Sequence, residues 1–284
     1  WSPFLSIMGS GATAFVYNGK FNPSRYLSLL QNFKINVFCC TPTEYRLMAK
    51  LPNLTDYNLE HLHSAVSAGE PLNREVVEKF QNHFNLTVRD GYGQTESTLL
   101  IGFLKDTEQR PGSMGKAIPG SRVAIVDDEG NKVDTNVKGN IALPLDFPGL
   151  FKGYFKDEKR TKDAHAGDYY ITGDLAHIDE DGYFWFEGRR DDIIISSGYT
   201  IGPFEVEDAL TNHPAVKECA VVASPHELRG NIVKAFIILQ NGYTGDDELI
   251  KELQTFTKNE VAPYKYPRAI EFVEELPKTN SGKI

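Results

Sequence analysis

Between residues 23 and 88 the chain alternates short apolar runs with segments of helical period. That alternation restricts the fold more than any other feature. Pro23 to Phe33 places Tyr26, Leu29, Leu30 and Phe33 on one helical face. Ile35 to Cys40 then reads as a buried strand, and His63 to Ser67 as another. Gly69-Glu70-Pro71 reads as a turn. Asn73 to Phe84 reads as a helix that turns Val76, Val77, Phe80 and Phe84 inward, and Leu86-Thr87-Val88 as the next strand. Strand, helix and strand in this order are βαβ units of a parallel sheet.

The pattern changes after about Gly112. Arg122 to Val126, Asn140 to Leu143, Tyr169 to Ile171 and Ala176 to Ile178 are short strand signals. Asp179-Glu180-Asp181-Gly182 before Tyr183-Phe184-Trp185-Phe186 is a hairpin signal. From Asp191 the pattern changes again. Ile193 to Ile195 is a strand, Pro203 opens a helix to Leu210, and Cys219 to Ala223 and Val233 to Leu239 are strands. Asp246 can cap a helix to about Asn259, and Ala269 to Val273 is a last strand. The predicted fold class is α/β plus α+β. Residues 1–190 form one unit, βαβ to about 111 and β-rich over 112–190; residues 191–284 form a smaller α+β unit.

A chain of 284 residues has room for about two domains. Its 30 Lys+Arg against 39 Asp+Glu give a net charge of −9, which argues against non-specific nucleic-acid binding. No run of about 18 apolar residues occurs, so no transmembrane helix is expected. Cys39, Cys40 and Cys219 lie in apolar stretches and read as buried free thiols, which fits a reducing, cytoplasmic setting. The sequence starts at Trp1 and stops at Ile284 inside what reads as a turn, so a segment of a longer chain is expected.

Four stretches can carry chemistry. Asp90-Gly91-Tyr92-Gly93-Gln94-Thr95-Glu96, just after a strand, combines glycines that admit a ligand to the backbone with a flat ring. Its hydroxyl and carboxylate suit a Mg²⁺–phosphate group. Asp174, in Tyr170-Ile171-Thr172-Gly173-Asp174, can accept two hydrogen bonds from a ribose diol. Gly188-Arg189-Arg190-Asp191-Asp192, followed by Ser196-Ser197-Gly198-Tyr199, sets fixed charges at a unit boundary. Pro277-Lys278-Thr279-Asn280-Ser281-Gly282-Lys283 carries a lysine on a glycine loop but is not a Walker P-loop. Singly, these also read as a solvated loop, a helix cap, a salt-bridged linker and a basic surface loop.

Together, in this order, the four motifs resemble the adenylate-forming acyl-CoA synthetases, and within them the medium-chain branch. Ser67-Ala68-Gly69-Glu70-Pro71-Leu72, Gly202-Pro203-Phe204-Glu205-Val206-Glu207 and Ala262-Pro263-Tyr264-Lys265-Tyr266-Pro267-Arg268 extend the likeness over essentially the whole chain. The resemblance implies the second half of a large AMP-binding domain followed by a small mobile domain with its hinge at Asp191. It implies that a carboxylate and ATP give an acyl-adenylate and pyrophosphate, and that CoA then takes the acyl group. Gly69, Glu70, Pro71, Asp90, Gly91, Tyr92, Gly93 and Gln94 are expected around the nucleotide, with Asp174 and Arg189 on the ribose. Thr95 is expected at the α-phosphate, Glu96 at Mg²⁺ and Lys283 as the catalytic cation. Ser197, Gly198, Tyr199, Arg229, Tyr266 and Arg268 are expected to contact CoA. Gly93 stands where acetate-specific relatives carry Trp, so acyl groups longer than acetyl are expected, though a glycine there can also serve the loop backbone.

Two features depart from that pattern. The family's Ser/Thr/Gly-rich phosphate loop is not found in the chain, so the segment alone is expected to make no adenylate. Thr200 stands where close relatives have an Arg on ATP phosphate, and Arg190 or Lys278 is expected to compensate. A carrier-protein-loading adenylation domain and a non-catalytic nucleotide- or CoA-binding regulator remain alternatives.

Overall fold

The computed structural model describes residues 3–278, with side chains from Ile7 onward. The first part of the chain contains α1 (Pro3–Ser10), α2 (Pro23–Asn32), β1 (Val37–Cys40), α3 (Pro42–Ala49), β2 (Ser64–Ala68), α4 (Arg74–Phe84) and β3 (Val88–Gly93). It continues through β4 (Leu99–Gly102), β5 (Gly115–Ala117), β6 (Ala124–Val126), β7 (Gly139–Pro144), α5 (Glu158–Asp163), β8 (His165–Ala166), β9 (Tyr169–Ile178) and β10 (Tyr183–Arg189). After a 3₁₀ turn, Arg190–Asp192, come β11 (Ile194–Ser196), β12 (Tyr199–Ile201), α6 (Pro203–Thr211), β13 (Val216–His226), β14 (Gly230–Leu239), α7 (Asp247–Glu260) and β15 (Ala269–Phe272).

Local chemistry starts several helices. Asn22 accepts the Arg25 amide ahead of Pro23 in α2, and Asp246 accepts the Leu249 amide ahead of α7. Thr41 and Glu44 form a reciprocal capping box on α3, a helix that apolar periodicity alone does not announce. α4 ends on Asn85 in the left-handed conformation, φ 50°.

Among the described residues the strands make two sheets. β1, β2 and β3 pair in parallel and continue antiparallel through β4, β5, β10, β9, β7 and β6, so the βαβ part and the β-rich part share one ten-stranded sheet. α2, α3 and α4 close over its parallel end around Leu27, Tyr45, Met48, Val76 and Phe80, all fully buried. Leu100, Ile101, Ile141, Leu143 and Tyr170 fill the antiparallel end. The second, five-stranded sheet runs β12-β11-β14-β13, with β15 parallel on β14, and packs α6 and α7 around Val206, Leu210, Ile237 and Leu253.

Three expectations need correction. β3 begins at Val88, so Asp90 to Gly93 lie within a strand rather than on a loop after it. The signals at 169–171 and 176–178 are one strand, and Asp174 sits in its interior. Gly173 there takes φ +81°, and the pairing register with β7 shifts between Asn140 and Ala142. Such a bulge aims a side chain that a regular strand would not. Finally, β1 is an edge strand with alternating exposure, so Cys39 is exposed and only Cys219 is buried, with Cys40 between.

Candidate functional site

β2 and β3 are parallel neighbours, with Ser67 opposite Asp90 and Ala68 opposite Gly91. The Gly69-Glu70-Pro71 turn therefore leaves the sheet beside Gly91 and Tyr92, at the carboxyl ends of the strands, where open α/β sheets bind ligands. Gly69 has φ +104°, a conformation glycine adopts without strain. Asp90 fixes this turn: its carboxylate accepts the Gly91 amide at 2.9 Å and the Leu72 amide. Burial pushes its pKa up to about 7, against the pull of those two bonds. Its side chain thereby anchors the loop.

Asp174 is the centre of the site. It is only 8% exposed. Its Oδ2 accepts the Tyr92 hydroxyl at 2.6 Å and the Gln94 amide nitrogen at 2.8 Å. Gln94 also donates to Thr172 O at 3.0 Å, and Tyr170 donates to Gln94 Oε1 at 3.3 Å. Arg189 faces Asp174 across the β9–β10 pair. Burial raises the carboxyl's pKa, while the Tyr92 bond, the Arg189 charge and the Gln94 bond draw it back. Two of the sequence motifs, 80 residues apart in the chain, are thereby joined through direct hydrogen bonds.

Thr95 is exposed, and Glu96 is half-buried with Oε1 accepting the Tyr154 hydroxyl at 3.1 Å. The Glu96 carbonyl also accepts the Phe151 amide, which fastens the loop to residues 147–154. Among the described residues no cluster of three or more His, Cys, Asp or Glu side chains could hold a metal. One carboxylate beside a hydroxyl still suits Mg²⁺, which keeps waters and takes the rest of its ligands from phosphate.

Gly93 has a backbone reason to be glycine. β3 and β4 shift register there, and a Cβ on residue 93 would stand 2.1 Å from the Thr98 carbonyl oxygen. The absence of a side chain is thus required by strand packing and does not by itself describe an acyl pocket.

Ser197 and Gly198 both have positive φ, 50° and 82°, and make a two-residue hairpin turn between β11 and β12. The Ser197 amide donates to Arg229 O, and Arg229 Nη1 donates back to Ser197 Oγ at 3.1 Å. Tyr199 stacks on Tyr264 at 4.4 Å between centroids, and Arg268 donates to the Tyr266 hydroxyl at 2.9 Å. The turn, Arg229 and the segment before β15 therefore share one end of the small sheet. Arg190 pairs with Asp128 at 3.2 Å and Lys278 with Glu218. Asp191 lies exposed in the 3₁₀ turn between the two sheets. Lys283 lies outside the described residues.

Sequence reasoning does not find Tyr154, Tyr170 and Thr172, which orient Glu96, Gln94 and Asp174. Tyr154 and Tyr170 reach their partners over 58 and 76 residues, and Thr172 reaches Gln94 over 78 while its hydroxyl accepts the Asp174 amide two residues on; no local spacing announces the long-range contacts.

The sequence matches the AMP-binding enzyme family over residues 1–155 and the AMP-binding enzyme C-terminal domain over residues 205–283. The chain belongs to the AMP-binding enzyme family. It is 65% identical, over its whole length, to an uncharacterized acyl–CoA ligase, YtcI, of Bacillus subtilis (strain 168). It is 47% identical to the mitochondrial acyl-coenzyme A synthetase ACSM3 of Rattus norvegicus. These matches cover 54% and 50% of the two relatives, so the chain spans about half their length. A crystal structure of the anthranilate CoA ligase AuaEII in complex with anthranoyl-AMP superposes with a TM-score of 0.89 at 35% identity. That match covers 96% of this chain and 53% of that one. The α/β architecture is shared with that solved ligase, and among the described residues no helix is long and apolar enough to cross a membrane.

Proposed function

We propose that the chain is the C-terminal part of an ATP-dependent acid–thiol ligase. In the first half-reaction a carboxylate oxygen attacks the α-phosphorus of ATP and pyrophosphate leaves. In the second the CoA sulfur attacks the acyl carbon, AMP leaves and the thiol proton is released. The observation that carries this reading is the Tyr92–Asp174–Gln94 triad. It presents a buried, hydrogen-bonded carboxylate beside the Gly69-Glu70-Pro71 turn, as recognition of a ribose diol next to a base requires. The likeness to a ligase solved with its acyl-adenylate supports the same intermediate.

In this reading Asp174 and Arg189 hold the ribose. Gly69 to Pro71 and Gly91 to Gln94 line the base, and Thr95 meets the α-phosphate. Glu96 would hold Mg²⁺, which when bound neutralises phosphate charge. Lys283 stabilises charge that develops on the α-phosphate, a role whose loss typically slows such steps by roughly 10²–10³. Residues 1–190 are the C-terminal part of the large adenylating domain, and residues 191–284 turn about Asp191 to exchange the Lys283 loop for the Ser197–Tyr199 turn. Ser197, Gly198, Tyr199, Arg229, Tyr266 and Arg268 then receive CoA, whose phosphates suit arginine forks. Medium-chain or branched carboxylates are the proposed acids, on the resemblance alone, since Gly93 has its own structural cause.

The test is carboxylate-dependent ATP–pyrophosphate exchange, with acids from acetate through isobutyrate and benzoate to decanoate. It uses the 284-residue chain and the same chain joined to the N-terminal half of the B. subtilis relative. Exchange in the joined protein, peaking beyond acetate, is expected. A peak at acetate would overturn the substrate class, and no exchange with any acid would overturn the ligase reading in favour of a nucleotide-binding regulator.

A further inference from the structure

Two helix ends at the junction of the two units lack what a helix end ordinarily carries. Asn73 occupies the N-cap of α4 in the correct extended conformation, yet makes no side-chain bond to its own helix. It is 1% exposed and directs its amide elsewhere. Nδ2 donates to Asp208 Oδ1 of α6 at 2.9 Å and to Thr211 Oγ1 at 3.5 Å, while Oδ1 accepts Arg46 Nη1 at 2.9 Å. The Arg74 amide, in the first turn of α4, is accepted by Asp208. The cap of α4 is therefore supplied by the other unit.

The reverse holds for α6. It has no basic residue in its last turn. Lys50, at the C-cap of α3, fills that role. Its Nζ donates to the carbonyls of Val216 at 2.7 Å, Lys217 at 3.2 Å and Thr211, the last residue of α6, at 3.4 Å. Asp208 near the C-terminal end of α6 opposes its own helix dipole and suits the N-terminus of α4; Lys50 suits the C-terminus of α6. At the opposite end of α6, Gly202 lies so close to the Glu187 carbonyl that a Cβ there would stand 1.8 Å from its oxygen.

We propose that Asn73, Asp208 and Lys50 form a reciprocal capping clasp that holds the 191–284 unit in this one orientation, with Asn73 as its switch. When Asp208 withdraws, Asn73 returns to capping α4, so release leaves no orphan amide behind. Arg46 extends the clasp to the nucleotide turn: Nη2 donates to Thr43 Oγ1 at 2.8 Å, which donates to Glu70 Oε2 at 2.7 Å. These are positioning residues, and the inference rests on the proposal that the small unit reorients.

The decisive variant is Asn73→Asp. Aspartate caps α4 as well as asparagine does, but it faces Asp208 with like charge, so it releases the clasp without unfolding the helix. Spin labels at the exposed positions Gln81 and Lys251, with Cys39→Ser, report the distance between the units. The parent chain is expected to give one dominant distance. Asn73→Asp and Lys50→Met are each expected to move a tenth or more of the population to a second distance, and Lys50→Arg to restore the first. Amide exchange within α4 is expected to stay within twofold of the parent in Asn73→Asp. Variants that keep the parent distance distribution overturn the clasp. Failure of the ligase reading would appear as absent pyrophosphate exchange and would leave the distances as they are.

Discussion

Replacing Tyr92 by Phe removes one hydroxyl and almost no volume. The hydroxyl donates at 2.6 Å to Asp174, a carboxylate only 8% exposed, so solvent screening does little to soften the loss. Hydrogen bonds to charged groups contribute about 1.5–3 kcal/mol, and Gln94 remains as a second donor, so a loss of about 2 kcal/mol at pH 8 follows. The sign of the pH dependence is fixed by burial. Asp174 already titrates above the usual carboxylate range, and the Tyr92 bond is the largest of the influences pulling it back. Without the hydroxyl the folded-state pKa rises further. The deficit is then complete above that pKa and shrinks as pH falls through it, because a protonated carboxyl loses less when the donor goes. Urea unfolding of parent and variant at pH 8 and pH 4, followed by Trp185 fluorescence in β10, measures the difference. A smaller deficit at pH 4 than at pH 8 is expected. Equal deficits at both pH values, or none at pH 8, would refute the reasoning.

Three further outcomes are expected. Gly93→Ala forces a Cβ into the Thr98 carbonyl at 2.1 Å, and overpacking of this kind costs about 1–3 kcal/mol, read as a lower urea midpoint. Glu207→Gln should stabilise at high pH. Burial holds the Glu207 pKa at about 7 against a usual 4.5, so the folded parent binds more protons than the unfolded chain and loses stability as pH rises between those values. Glutamine keeps the bond from the Val221 amide, so the variant should exceed the parent by at most about 3 kcal/mol above pH 7 and match it near pH 4.5. Last, of the three thiols only Cys39 is exposed, so a thiol reagent should modify one cysteine in the native chain. Desolvation raises the pKa of all three, partial at Cys39 and helped there by the Glu44 charge, so even Cys39 should react more slowly than a free thiol.

Much of the fold is legible in the sequence because its signals are local. Helical period and caps locate α2, α4, α6 and α7, and the Asp179–Gly182 turn locates the β9–β10 hairpin. α3 escapes a reading by apolar spacing, although its capping box stands in Thr41-Pro42-Thr43-Glu44. Strand boundaries near the site are misread for one reason. Gly91, Gly93 and Gly173 look like turn residues, yet each lies inside a strand, and Gly93 and Gly173 lie where the pairing register shifts.

The order of the motifs, their residue chemistry and the family to which they belong are written in the linear chain, since each motif is a short run with a fixed spacing. What those residues touch is settled only when the chain packs. A β-bulge carries Asp174 to Tyr92 and Gln94, the edge position of β1 exposes Cys39, and Asp208 of α6 accepts the Arg74 amide in the first turn of α4. Such contacts join residues tens to more than a hundred positions apart. Their geometry follows from how sheets twist and helices pack against each other, and no stretch of adjacent residues encodes it.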